Sequence, residues 1–124
     1  MSDRDAEPER CCFDDWVEHW ATRARKKPTV AGVTAPLLAA LREAGLQDRT
    51  VLDLGCGIGD LSIEMVLAGA ASARGYDLSE KAIGAARRLA ESRGVGDRTA
   101  FEVGDGAKAD LPSADVVVLN RVFC

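Results

Sequence analysis

Aromatic residues, usable cysteine pairs, surplus positive charge and long apolar runs are all scarce in this chain, and each scarcity removes a class of function. Phenylalanine, tyrosine and tryptophan make up 5% of its 124 residues, too few for the stacking platforms on which single-stranded nucleic acids lie. Lysine and arginine number 16 against 20 aspartates and glutamates, a net charge of −4. That balance argues against a nucleic-acid binder, which needs clustered cations to displace phosphate counterions. No apolar run approaches the ~20 residues of a membrane-spanning helix, and Met1 to Arg10 is polar and charged, unlike a signal peptide. No membrane contact and a cytoplasmic location are the expectations. Four cysteines, at 11, 12, 56 and 124, match neither a zinc spacing nor a secreted disulfide framework. Adjacent Cys11 and Cys12 have Cα atoms about 3.8 Å apart, short of the roughly 4.4 Å a disulfide needs. All four are read as free thiols, with no metal site, and Cys56 is placed by its small size within a turn.

What is present is the composition of one ordinary globular domain, 47% hydrophobic and 29% charged. Residues 1–9 carry Asp3, Asp5, Glu7 and Glu9 with almost nothing apolar and are expected to form a disordered leader. Residues 10–49 read as N-terminal helices. From about Arg10 to Lys27, Cys12, Phe13, Trp16, Val17, Trp20, Ala21 and Ala24 recur at helical spacing before Pro28. Such a helix either simply packs or leans over a neighbouring pocket as a lid. The cations Arg23, Arg25, Lys26 and Lys27 suit the negative end of the helix dipole without any phosphate to bind. His19, with Asp15 one turn earlier, reads as an exposed or edge-packed side chain rather than a general base. A second helix is expected from Thr34, as N-cap, to Gly45.

Beyond residue 49 the chain alternates. The pattern predicts a strand at 50–54, a helix at about 58–69, a strand at 72–76, a helix at 80–93 with Ser79 as N-cap, a strand at 99–103, and a last strand at Val116-Val117-Val118-Leu119. Strand alternating with helix implies a parallel sheet with right-handed crossovers, an α/β fold. The segment Ser72-Ala73-Arg74-Gly75-Tyr76 has poor β-propensity, so its assignment rests on its place between two good helices.

The stretch Val51-Leu52-Asp53-Leu54-Gly55-Cys56-Gly57-Ile58-Gly59-Asp60 reads as a buried strand running into a glycine-rich turn and a helix, which builds a nucleotide-sized pocket. A dinucleotide fingerprint, G-x-G-x-x-G, would need a glycine at position 60, where this chain has Asp60. Asp53, at the carboxyl end of the strand, would repel a phosphate and favour an ammonium group. The pocket therefore suits S-adenosylmethionine. Asp77 follows the second strand, where a carboxylate can accept both ribose hydroxyl protons. In Val103-Gly104-Asp105-Gly106-Ala107, after the third strand, Asp105 could accept an adenine amino hydrogen beside a glycine that leaves room for the ring.

The runs VLDLGCGIGD, GYDLS, VGDGA and ADVVVLNRV, in this order and at these separations, resemble the class I S-adenosylmethionine-dependent methyltransferases over about residues 50–124. The resemblance implies a Rossmann-like, doubly wound parallel sheet. It implies that Asp53, Gly55 and Gly57 surround the methionine part of the cofactor and that Asp77 holds the ribose. Leu78 and Asp105-Gly106-Ala107 would frame the adenine, and Asn120 would lie near the sulfonium. The implied reaction is an in-line displacement of the sulfonium methyl by a substrate nucleophile, with no catalytic side chain assigned. The N-P-P-[YF] signature of amino-group methylation is absent at Asn120-Arg121-Val122-Phe123, which points to a small-molecule acceptor. The family's sheet has seven strands in the order 3-2-1-4-5-7-6, so this chain is expected to be truncated after the fourth, with the order 3-2-1-4. The apolar fourth strand would then be a bare edge, covered by a missing half or by another subunit. Two rival readings stand beside this one: a nicotinamide (NAD)-dependent oxidoreductase, and a non-catalytic module that binds S-adenosylmethionine.

Overall fold

The computed structural model describes residues 17–26, 34–104 and 113–119. The expected leader 1–9, Cys11, Cys12 and Cys124, the segment Asp105-Gly106-Ala107, and Asn120 lie outside the described residues. Four strands, β1 (Thr50–Leu54), β2 (Ser72–Asp77), β3 (Thr99–Val103) and β4 (Val116–Leu119), form one sheet in the order β3-β2-β1-β4. All pairings are parallel. The chain thus has the expected α/β, Rossmann-like architecture with the strand order 3-2-1-4.

The central strand explains the register. In β1, Val51, Leu52 and Asp53 are all buried, as in a parallel strand covered on both faces. Asp53 pairs with Gly75 on β2 and with Val118 on β4. Strand β2 forms despite its weak propensity because it lies between β1 and β3, where the sheet supplies the packing that its side chains do not. Its last residue is Asp77, one beyond the expected end.

Helices α1 (Val17–Lys26), α2 (Thr34–Ala44), α3 (Asp60–Leu67) and α4 (Glu80–Ser92) accompany the sheet. Thr34, expected as the N-cap of α2, is its first residue. Helix α3 is shorter than expected at both ends: Gly59, with φ +77°, leaves Ile58 and Gly59 in the turn, and Ala68 caps the helix before Gly69, which has φ +118°. A short 3-10 turn, Gly96–Arg98, precedes β3 and was not expected. The main core joins Ile63, Met65 and Val66 of α3 with Ile83, Ala86 and Leu89 of α4 and Phe101 of β3, and Leu37, Leu38 and Leu41 of α2 pack against it. A second, smaller cluster contains Val17 and Ala21 of α1, Ile58, and Ala82 and Ala85 of α4.

Candidate functional site at the first glycine turn

The carboxyl ends of β1 and β2 are stitched together by the turn that follows β1. The backbone N–H groups of Gly55 and Cys56 both donate to the Tyr76 carbonyl, at 2.8 and 3.0 Å. The next one, on Gly57, donates to Oδ2 of Asp77 at 2.8 Å. Gly59 N–H closes the turn on the Cys56 carbonyl at 3.0 Å. Gly57 has φ +58°, a conformation that brings its N–H round to the Asp77 carboxylate and that residues with a Cβ adopt reluctantly.

Asp77 is held from two sides, since its Oδ1 accepts from the Ser79 N–H at 3.0 Å. The carboxylate is half-buried, and each of its oxygens carries a further lone pair with which to accept a hydroxyl proton. Ser79 caps α4 with its own hydroxyl, which accepts from the Ala82 N–H at 3.0 Å. Between them Leu78 is 68% exposed, a large apolar side chain beside the half-buried carboxylate. A carboxylate fixed by two backbone donors next to an exposed aliphatic surface suits a ribose diol with a flat apolar ring beside it.

Asp53 occupies a different place from Asp77. It is fully buried, and its Oδ2 accepts from the Ser62 hydroxyl at 2.7 Å, tying β1 to α3. Ser62 was not singled out in the sequence; the only signal available was a hydroxyl on the buried side of an apolar helix. Cys56 is also fully buried. Burial, followed by the neighbouring charges of Asp53 and Asp77, pushes its thiol far above the ordinary thiol range, so it is neutral and not a nucleophile. His19 is exposed on α1. The side of α1 that carries Val17 and Ala21 packs on Ile58 of the turn and on α4, which places this helix beside the site. Among the described residues no group of acidic, cysteine or histidine side chains is arranged to hold a metal ion.

The turn also bears on the dinucleotide reading. A pyrophosphate would be received by free N–H groups of the glycine loop, whereas those of Gly55, Cys56, Gly57 and Gly59 all serve internal acceptors. A family model described as a methyltransferase domain matches residues 46–124. The chain belongs to this methyltransferase-domain family. Among curated relatives, the ribosomal protein L11 methyltransferase of Pasteurella multocida is 47% identical over 87 residues, which are 70% of this chain and 29% of that protein. Among solved structures, an RNA methyltransferase from Salinibacter ruber in complex with S-adenosyl-L-homocysteine superposes with a TM-score of 0.65 at 28% identity, covering 73% of this chain and 60% of that one. A methyltransferase from Geobacter sulfurreducens, also in complex with S-adenosyl-L-homocysteine, gives 0.63 at 30% identity over 75% of this chain and 37% of that one. The chain therefore spans less than a third of the length of the L11 relative it matches.

These relatives correct the expected partners. A small-molecule acceptor, with nucleic acid excluded, was expected; the L11 relative is named for methylation of a ribosomal protein and the Salinibacter ruber structure for RNA. The physical reason is that a missing signature at 120–123 rules out one local arrangement of an acceptor and specifies no other. Low positive charge likewise argues only about the surface that this segment presents. No helix among the described residues is long and apolar enough to cross a membrane.

Proposed function

We propose that this methyltransferase-domain chain seats S-adenosylmethionine at the β1 and β2 carboxyl ends and belongs to an enzyme that methylates a protein. The observation that carries the cofactor reading is the Asp77 carboxylate, fixed by the Gly57 and Ser79 N–H groups beside exposed Leu78. A turn in which the N–H groups of Gly55, Cys56, Gly57 and Gly59 are engaged offers little to a polyphosphate, while a half-buried carboxylate and an aliphatic surface fit a nucleoside that carries positive rather than negative charge. When bound, S-adenosylmethionine supplies a methyl group already activated on a sulfonium.

The residues of this chain bind and orient. Asp77 accepts from the ribose hydroxyls, Leu78 borders the adenine, and Gly55 and Gly57 keep the turn close to the methionine part. Asp53 supports the methionine subsite from beneath, through β1 and its bond to Ser62. Orientation of this kind contributes by placing donor and acceptor atoms in line before reaction. The protein acceptor rests on the 47% identity with the L11 methyltransferase. An RNA acceptor is the second reading, supported by the Salinibacter ruber structure.

Titration of the chain with S-adenosylhomocysteine and with NAD, by calorimetry, tests the cofactor: binding of the first and not the second is expected, and the reverse would overturn the proposal. Transfer of a tritiated methyl group from S-adenosylmethionine to intact ribosomes by the enzyme that contains this segment, followed by separation of protein from RNA, tests the acceptor. Label in the protein fraction is expected, and label confined to RNA would replace this reading with the second.

A further inference from the structure

The floor of the glycine turn is built from an absence on the neighbouring strand. Gly75 lies in the middle of β2, in register with Asp53 on one side and Phe101 on the other. Its backbone is not left-handed, so the need for glycine here is spatial. A Cβ at position 75 would stand 2.8 Å from both Cβ and Sγ of Cys56 and 2.8 Å from Cδ1 of Phe101. Real Cβ atoms do not approach other heavy atoms so closely, and all three sit in a close-packed interior where little can give. Cys56 thus sinks into a notch that only a glycine leaves open, which is why it is fully buried although it lies in a turn. The Phe101 ring fills the remainder and reaches the turn a second time, where a Cβ at Gly59 would meet its Cζ at 2.8 Å.

We propose that Gly75 is a positioning residue for the cofactor site, setting the height of the 55–59 turn above the sheet by admitting the Cys56 side chain. The inference rests on the proposed cofactor reading only for its functional consequence. Raising Cys56 would move the N–H groups of Gly55 and Cys56 off the Tyr76 carbonyl and that of Gly57 off Asp77. Asp77, two residues along the same face of β2, would lose one of the two donors that aim its carboxylate. Gly75 has no side chain to offer a ligand; it acts through Cys56 and the turn.

The test uses Gly75→Ala and the milder Cys56→Ala, together with the double variant Gly75→Ala/Cys56→Gly, which empties the notch for the new methyl. Backbone amide resonances of Gly55, Gly57 and Ser79 in the unliganded 124-residue chain report the turn, calorimetry with S-adenosylhomocysteine reports the site, and the urea midpoint reports stability. Gly75→Ala is expected to shift the Gly57 and Ser79 amides and weaken binding by about tenfold or more. Cys56→Ala is expected to shift the same amides and weaken binding about threefold, which decides the matter if Gly75→Ala does not fold. The double variant is expected to recover a large part of the lost affinity. Unmoved amides and wild-type affinity in Gly75→Ala, or in Cys56→Ala where that alone folds, would overturn the proposal. So would a double variant that regains stability but no affinity. Shifted amides in a chain whose wild-type form binds no S-adenosylhomocysteine would uphold the notch and refute the cofactor reading instead.

Discussion

The two strand-to-helix junctions at the carboxyl end of the sheet begin alike and finish differently. After β2 the chain enters α4 through two residues, with Ser79 in an extended conformation and its hydroxyl on the Ala82 N–H. After β1 it takes five residues, and α3 starts from Gly59 in a left-handed conformation with no side-chain cap. The β2 junction satisfies its own helix start and, in passing, holds Asp77. The β1 junction spends the N–H groups of Gly55, Cys56 and Gly57 on the end of β2, closes on itself through that of Gly59, and caps α3 with no side chain. One junction is thus a support and the other a surface shaped to be approached closely. Their shared bonds, through Tyr76 and Asp77, are what make them a single site.

The comparison can be broken most severely at Gly59. Its left-handed backbone disfavours any Cβ by about 1–2 kcal/mol, and a Cβ would meet the Phe101 ring at 2.8–2.9 Å and the Ala86 Cβ at 3.0 Å, which adds roughly 1–3 kcal/mol of overpacking. Gly59→Ala is therefore expected to destabilise the chain by about 3 kcal/mol, read as a fall in the urea midpoint; a change under about 0.5 kcal/mol would mean the turn yields to a Cβ without strain. Asp77→Ala comes next. Loss of a charged acceptor for the ribose hydroxyls is worth about 1.5–3 kcal/mol, so calorimetry should find binding weakened about ten- to a hundredfold, and unchanged affinity in a folded variant would remove Asp77 from the site.

Ser79→Ala sharpens the contrast from the other junction. Removing the cap should cost about 1 kcal/mol of stability, yet the backbone N–H that holds Asp77 remains, so the affinity for S-adenosylhomocysteine should stay within about twofold of wild type. A larger loss of affinity would show that the hydroxyl, and not the main chain, aims the carboxylate.

The smallest effect lies at the far, amino end of the sheet. There Asp115 accepts from the Thr50 N–H at 2.9 Å and from its hydroxyl at 3.2 Å, and these bonds, the backbone one first, hold its carboxyl below the ordinary value of 3.8. Because the folded value lies below the unfolded one, the stabilisation is fully present above the unfolded value and fades as the pH falls through the folded one. The urea midpoint of the wild-type chain should drop more between about pH 5 and pH 2 than that of Asp115→Asn. Equal slopes would show that this exposed clip contributes nothing measurable.

Much of this architecture was legible along the chain. The apolar run of β1, the glycines after it, the serine before α4 and the strand-helix alternation each act within a few residues, so local chemistry reveals them. The weak strand at 72–77 was legible only by position, and nothing in its poor propensity marks Gly75 as the requirement of a neighbour 19 residues earlier in the sequence. Asp53 and Asp77 read along the chain as two ligand-facing carboxylates at two strand ends, one toward the methionine part and one toward the ribose, and the structure gives them different surroundings. Asp53 turns into the core onto Ser62, while Asp77 stands half-open between two N–H donors. The acceptor is not legible at positions 120–123, because the absence of a short signature carries little information about what replaces it.

By itself, the sequence determined the parallel α/β class, the place of the glycine turn and the choice of a carboxylate at position 77, since these follow from hydrophobic period, backbone freedom and charge within short windows. Only the tertiary structure decided which N–H groups the turn spends on itself, which aspartate stays near the surface, and why β2 carries a glycine at 75. Those depend on atoms brought within 3 Å from separate strands, and no local pattern records a distance between residues that the fold alone makes neighbours.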